Sequence, residues 1–117
     1  MPKERILLLN DHWYVVYDQY PVSQGHMLVI PIRHCETFFD ISEEELSILA
    51  ETIREAKFMF EKNAPVKPDG YNIGCNCGKA AGQTVMHFHM HIIPRYAGDV
   101  DNPRGGVRGV IPGKQKY

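Results

Sequence analysis

The chain has 117 residues, a mass of 13.4 kDa, and 13 Lys+Arg against 14 Asp+Glu, for a formal charge of −1. That is room for one domain with one small core, and the charge balance argues against a general nucleic-acid or membrane-surface binder. Apolar residues make up 44% and charged residues 23%, a globular rather than a disordered composition. No apolar run approaches the roughly 20 residues of a membrane span. The four apolar residues Ile6 to Leu9 are too short for a secretory signal core. The three cysteines, Cys35, Cys75 and Cys77, are an odd number. They make a poor disulfide framework and read as free thiols in a reducing cytoplasm.

Residues 5–17 read as a hairpin, with Ile6-Leu7-Leu8-Leu9 and Trp13-Tyr14-Val15-Val16-Tyr17 flanking the turn signal Asn10-Asp11. Met27-Leu28-Val29-Ile30 is a further strand, stopped by Pro31. Ser42-Glu43-Glu44-Glu45 is a capping box, with Ile41 and Leu46 placed as a hydrophobic staple. From there Leu46, Leu49, Ile53, Ala56 and Phe60 recur at spacings of three and four, predicting a principal helix over roughly Ser42 to Glu61 with this stripe inward. Asn63 and Pro65 stop it. Tyr71-Asn72-Ile73 is a short strand, a glycine-rich loop runs to Gly82, and Val85 to Ile93 alternates like another strand. The segment 94–117 reads as an extended C-terminal tail within one 1–117 domain. Strands, one good helix, then strands predict an α+β fold with an antiparallel sheet.

The sharpest feature is His87-Phe88-His89-Met90-His91-Ile92-Ile93. On a strand, alternate side chains share a face, so His87, His89 and His91 line one side while Phe88, Met90 and Ile92 enter the core. Two chemistries fit such a row. The imidazoles could ligate a metal, or one could attack an electrophile while its neighbours fix its tautomer and move protons. His87 and His91 lie roughly 6.5 Å apart along a strand, which modestly disfavours one ion held by all three. The loop Gly74-Cys75-Asn76-Cys77-Gly78 has neither the spacing nor the context of a P-loop. Asn76 is left as a secondary polar contact.

The run Gly82-Gln83-Thr84-Val85-Met86-His87-Phe88-His89-Met90-His91-Ile92-Ile93 resembles the signature of the histidine-triad nucleotide-binding (HIT) family, in its bacterial-type form. The resemblance extends upstream through Asp18, Pro21-Val22, Gly25-His26, Leu28-Val29-Ile30-Pro31, His34 and Asn72, and downstream through Pro94-Arg95-Tyr96 and Asn102-Pro103-Arg104-Gly105-Gly106. It implies a HIT-like fold, a homodimer, and hydrolysis or transfer at the α-phosphate of a purine ribonucleotide or nucleotide conjugate. The reaction would pass through a nucleotidyl-histidine, with no cofactor and no bound metal. The nucleophile maps to His89, its orienting and proton-handling partners to His87 and His91, and the upstream histidine to His26. Asp18 maps to the ribose position, and Asn72, Gln83 and Thr84 to the phosphate. Two alternatives stand beside it: a nucleotide-binding interaction protein with little turnover, and a histidine-ligated metalloenzyme. Two departures are visible. The start, Met1-Pro2-Lys3-Glu4-Arg5, lacks the cysteine pair with which many bacterial relatives build a zinc site. Arg108 is followed by Gly109 where many relatives carry tryptophan.

Overall fold

The computed structural model describes residues 5–117; the first four residues of the expected 1–117 domain lie outside the described residues. The hairpin forms as expected from β1 (Ile6–Leu9) and β2 (Trp13–Tyr17). Its turn is tied by the Asn10 carboxamide, whose oxygen accepts from the backbone N–H groups of His12 and Trp13 at 3.0 and 2.8 Å. β3 (Met27–Pro31), α1 (Glu43–Asn63), β4 (Gly70–Gly74) and β5 (Met90–Arg95) follow. All five strands make one antiparallel sheet in the order β1-β2-β3-β5-β4. The fold is therefore α+β with one principal helix.

One sheet face carries Trp13, Val15, Met27, Val29, Met90 and Ile92, which form the core with Leu49, Ala56 and Phe60 of α1 and with Phe88 just before β5. The capping box forms in full. Glu45 N–H donates to Ser42 Oγ at 3.1 Å, and Ser42 N–H donates to Glu45 Oε1 at 2.8 Å. The buried stripe is rotated from the expected one. Leu46, half of the expected staple, is 40% exposed, and Glu45 and Thr52 are buried instead. Burial of these polar residues is tolerated because each is satisfied. Arg33 donates to both Glu45 carboxylate oxygens. Thr52 Oγ1 accepts from Asn10 Nδ2 and donates to the Ile48 carbonyl.

The expected strand over Val85 to Ile93 is corrected at its start: regular pairing begins only at Met90. Val29 faces Met90 in the β3–β5 ladder, so continued pairing would bring Pro31 opposite Phe88, and proline has no N–H to donate. Phe88 N–H goes instead to the Cys35 carbonyl at 2.7 Å. The tail also differs from a simple extension. Pro94 and Arg95 end β5, and a 3-10 turn at Gly106–Val110 folds back against β4. Among the described residues, no helix is long and apolar enough to cross a membrane.

Candidate active site

His87, His89 and His91 keep their alternation although only His91 sits in a regular strand. Phe88, Met90 and Ile92 are buried between them, and the three histidines are half-buried. They face away from α1 because their neighbours face toward it. The order of the sheet brings distant residues to this row. β3 lies beside β5, with Leu28 opposite His91, so His26, one residue before β3, stands against His91. His26 Nε2 lies 2.9 Å from His91 Nδ1.

The hydrogen bonds fix which nitrogens carry protons. Val22 N–H donates to His26 Nδ1 at 3.1 Å. That nitrogen therefore holds a lone pair, and a neutral His26 carries its proton on Nε2. Nε2–H donates to His91 Nδ1, which places the His91 proton on its own Nε2. Burial pulls the pKa of both rings below the ordinary histidine value, with neighbouring imidazoles adding to the effect at His91. Both are neutral at neutral pH. Asp18 Oδ2 lies 3.5 Å from His26 Nε2 and acts in the opposite direction, raising both values. Its other oxygen accepts from Tyr20 N–H at 2.8 Å.

His89 is fixed by the same logic. Its Nδ1 lies 3.2 Å from the His87 carbonyl. A carbonyl only accepts, so Nδ1 carries a proton, and in the neutral ring Nε2 carries the lone pair. The His89 and His91 rings meet edge to face at 5.2 Å. His87 Nε2 donates to the Pro31 carbonyl at 3.0 Å, and the exposed His34 ring lies 5.0 Å from the His87 ring. Five of the six histidines thus form one array, although His34 stood outside the expected catalytic set.

A cavity of about 310 Å³ opens beside the buried pair, lined by His26, His91, Asn72, Cys75 and Asn76, with Val107 and Val110 of the C-terminal turn as an apolar wall. A cleft of about 660 Å³ shares Val22, Asn72 and Ile93 with it. Asn72 reaches the cavity, but its Oδ1 already accepts from Arg95 at 2.6 Å, and Arg95 is held by Asp99. Arg95 is thereby a tethered rim charge.

Gln83 is not available as expected. It is buried, its Nε2 donates to the Glu36 and Val85 carbonyls, and its Oε1 accepts from Gly78 N–H. Both of its donors are committed to holding the 78–85 loop against the chain after β3. Thr84 is exposed and outside the cavity lining. Sequence reasoning gave no role to Val22, whose backbone N–H sets the His26 tautomer, and no side-chain pattern signals such a donor. The wall at Val107 and Val110 was equally invisible, because the tail's return depends on tertiary contacts.

Among the described residues, one group of three donors is gathered closely enough for a metal ion. Ligand atoms of Asp18, His26 and His91 lie within 4.8 Å of one another. An ion there would have to break the His26–His91 hydrogen bond.

Residues 2–98 match the HIT domain family, and the chain belongs to it. A HIT-like protein of Saccharolobus solfataricus is 39% identical over 101 residues, covering 79% of this chain and 71% of that one. A bis(5'-nucleosyl)-tetraphosphatase (asymmetrical) of Schizosaccharomyces pombe is 40% identical over 79 residues, covering 68% of this chain and 42% of that one. The crystal structure of a hypothetical histidine triad nucleotide-binding protein from Sulfolobus tokodaii superimposes with a TM-score of 0.72 at 34% identity. It covers 84% of this chain and 64% of that one. The chain thus spans less than half of the tetraphosphatase and just under two thirds of the matched crystallised chain.

Proposed function

We propose that the protein is a nucleotide hydrolase or nucleotidyl transferase. It acts at the α-phosphate of a purine ribonucleotide, as a dinucleoside polyphosphate, nucleoside phosphoramidate or adenylated amine. The observation that carries this reading is the His89 Nδ1–H bond to the His87 carbonyl, which in the neutral ring puts the nucleophilic lone pair on Nε2. In the first step His89 Nε2 forms a bond to the α-phosphorus, and the bond to the leaving oxygen or nitrogen breaks with its electron pair. The leaving group takes up one proton, passed to it from solvent along the His87–His91 row. In the second step water attacks the cationic phosphoimidazole in line, His89 leaves with its lone pair restored, and the proton released by the water returns along the same row to solvent. The relay from Val22 N–H through His26 to His91 keeps the tautomers in register between the steps.

Asp18 supplies a carboxylate for the ribose hydroxyls, with Oδ2 the less committed oxygen. Asn72 Nδ2, Asn76 and the Thr84 hydroxyl are offered to phosphate oxygens, while Gln83 braces the 78–85 loop that carries Thr84. Adenine is the leading base on family resemblance. We further propose a homodimer in the cytoplasm. β4 is an open edge beside the site, and an unpaired edge is a template for a second copy; the three cysteines are free thiols.

Rapid quench with a labelled nucleotide substrate, followed by peptide mass analysis, tests the reading. A nucleotidyl adduct on His89, formed and lost at rates compatible with turnover, is the expected result. Near-wild-type turnover in His89→Ala, or a competent adduct only on another residue, refutes it. AMP binding with no turnover on any of the three substrate classes converts the enzyme reading into that of a binding protein.

A further inference from the structure

We propose that Cys75 and Cys77 form a two-thiolate site for a thiophilic d10 cation of the zinc, cadmium or copper(I) class, at the rim of the catalytic cavity. The two sulfurs lie 3.9 Å apart. Tetrahedral zinc, with zinc–sulfur bonds of about 2.3 Å, holds two sulfurs about 3.8 Å apart. The pair therefore stands at bridging distance without rearrangement. A disulfide at about 2.05 Å would require the sulfurs to close by about 1.9 Å across a single intervening residue.

Placement supports the same reading. Both thiols are partly exposed, whereas Cys35 is buried. Cys75 directly follows β4, whose Gly74 faces His91 in the sheet, and Cys75 and Asn76 line the cavity that contains His26 and His91. Two thiolates neutralise a divalent ion and leave two coordination positions for water or an added ligand. Burial and the neighbouring Cys77 push the Cys75 thiol up to about 11. The ion must displace protons, so its affinity rises with pH. The competing site is Asp18, His26 and His91, where His26 Nε2 and His91 Nδ1 already satisfy one another.

The ion would be held by the two residues that flank Asn76 in sequence and would restrict it. Occupancy then weakens nucleotide binding, a consequence that rests on the nucleotide reading above. The test uses the full chain, kept reduced with a phosphine and titrated with Cd²⁺. The expected result is an ultraviolet thiolate-to-cadmium charge-transfer band that saturates at one equivalent. It is lost in Cys75→Ser and in Cys77→Ser and retained in Cys35→Ser and His26→Asn, each variant checked for a native circular dichroism spectrum. No charge-transfer band at one equivalent, or a band that survives both Cys75→Ser and Cys77→Ser, overturns the site. So does cadmium binding without a band that disappears in His26→Asn, which assigns the ion to the Asp18–His26–His91 group. In the second arm, saturating Zn²⁺ raises the AMP dissociation constant severalfold in wild type and leaves it unchanged in Cys77→Ser. An equal AMP affinity with and without Zn²⁺ overturns the coupling. Absence of AMP binding in either state refutes the nucleotide reading while the dithiol site still stands on its charge-transfer band.

Discussion

Asp18→Asn isolates the charge that acts on the buried imidazole pair. The substitution keeps the side-chain shape and leaves an oxygen for Tyr20 N–H. It removes a negative charge whose nearer oxygen is 3.5 Å from His26 Nε2. At that distance Coulomb's law gives about 1 kcal/mol in a water-like dielectric and about 5 kcal/mol at an effective value of 20. The Asp18 side chain is 17% exposed and His26 only 3%, so the real figure falls between these limits. The sign is fixed. Asp18 stabilises the protonated forms of both His26 and His91, so its loss lowers both pKa values further below the ordinary one. Proton NMR titration of the imidazole ring hydrogens reads this directly, without any assumption about the reaction. Both midpoints move to lower pH in Asp18→Asn, and the acid limb of kcat/KM moves with them. An unmoved or raised midpoint at His26 would refute the assignment of a neutral, hydrogen-bonded pair under the influence of Asp18. On the proposed ribose role of Asp18, calorimetric titration should show AMP bound more tightly than deoxy-AMP by wild type and equally by the variant.

Glu45→Ala removes the capping box and the partner of Arg33. Breaking a buried pair typically costs about 3–5 kcal/mol, but Arg33 is half exposed and can turn to water, so urea unfolding should show a loss of about 2–3 kcal/mol. Arg33 and the Ser42 bonds hold the Glu45 carboxyl at about 2 against an ordinary 4.5. Its contribution is therefore full above pH 4.5 and is lost as pH falls toward 2, and Glu45→Gln should flatten that part of the stability profile. Gly25 has φ +89°, and a Cβ there would overlap the Phe60 ring. Gly25→Ala should lose about 1–2 kcal/mol to the left-handed backbone and about 1–3 kcal/mol to overpacking, measured as a thermal midpoint lower by about 10 °C. Gln83→Ala frees two backbone groups in the 78–85 loop, Gly78 N–H and the Val85 carbonyl, and the Glu36 carbonyl against which the loop is held; faster amide exchange at Gly78 and a raised KM are expected, and unchanged exchange there would contradict its bracing role.

The elements whose signals are local were legible in the sequence. The Ser42 cap, the Asn10 turn and the β-branched strands each rest on neighbours within a few residues, so propensity and spacing found them. What depended on long-range partners was not. Glu45 and Thr52 read as solvent-facing until Arg33 and Asn10 are brought against them, and the stripe rotated accordingly. The histidine row was found by its alternation, but its strand was drawn too long, because the break depends on Pro31 across the ladder. Gln83 illustrates a harder limit. An amide that braces a loop and an amide that grips a phosphate are the same residue type in the same motif. Only the commitments of its oxygen and nitrogen tell them apart.

The arrangement of the five clustered imidazoles has a chemical logic that the sequence row alone does not contain. An imidazole is useful as a nucleophile only while one nitrogen is unprotonated, and in water the two tautomers interchange freely. Here the choice is made by backbone groups that cannot titrate and, at His91, by a neighbouring ring that one of them fixes. The Val22 amide sets His26, His26 sets His91, the His87 carbonyl sets His89, and the Pro31 carbonyl sets His87. Burial keeps the innermost pair neutral, whereas Asp18 limits how far their pKa values fall. The result is a set in which backbone groups fix the tautomers of His26, His87 and His89 and His26 fixes that of His91. A change in the backbone at residue 87 acts on His89 directly, whereas one at residue 22 or 31 acts on the neighbouring rings of His26 and His87.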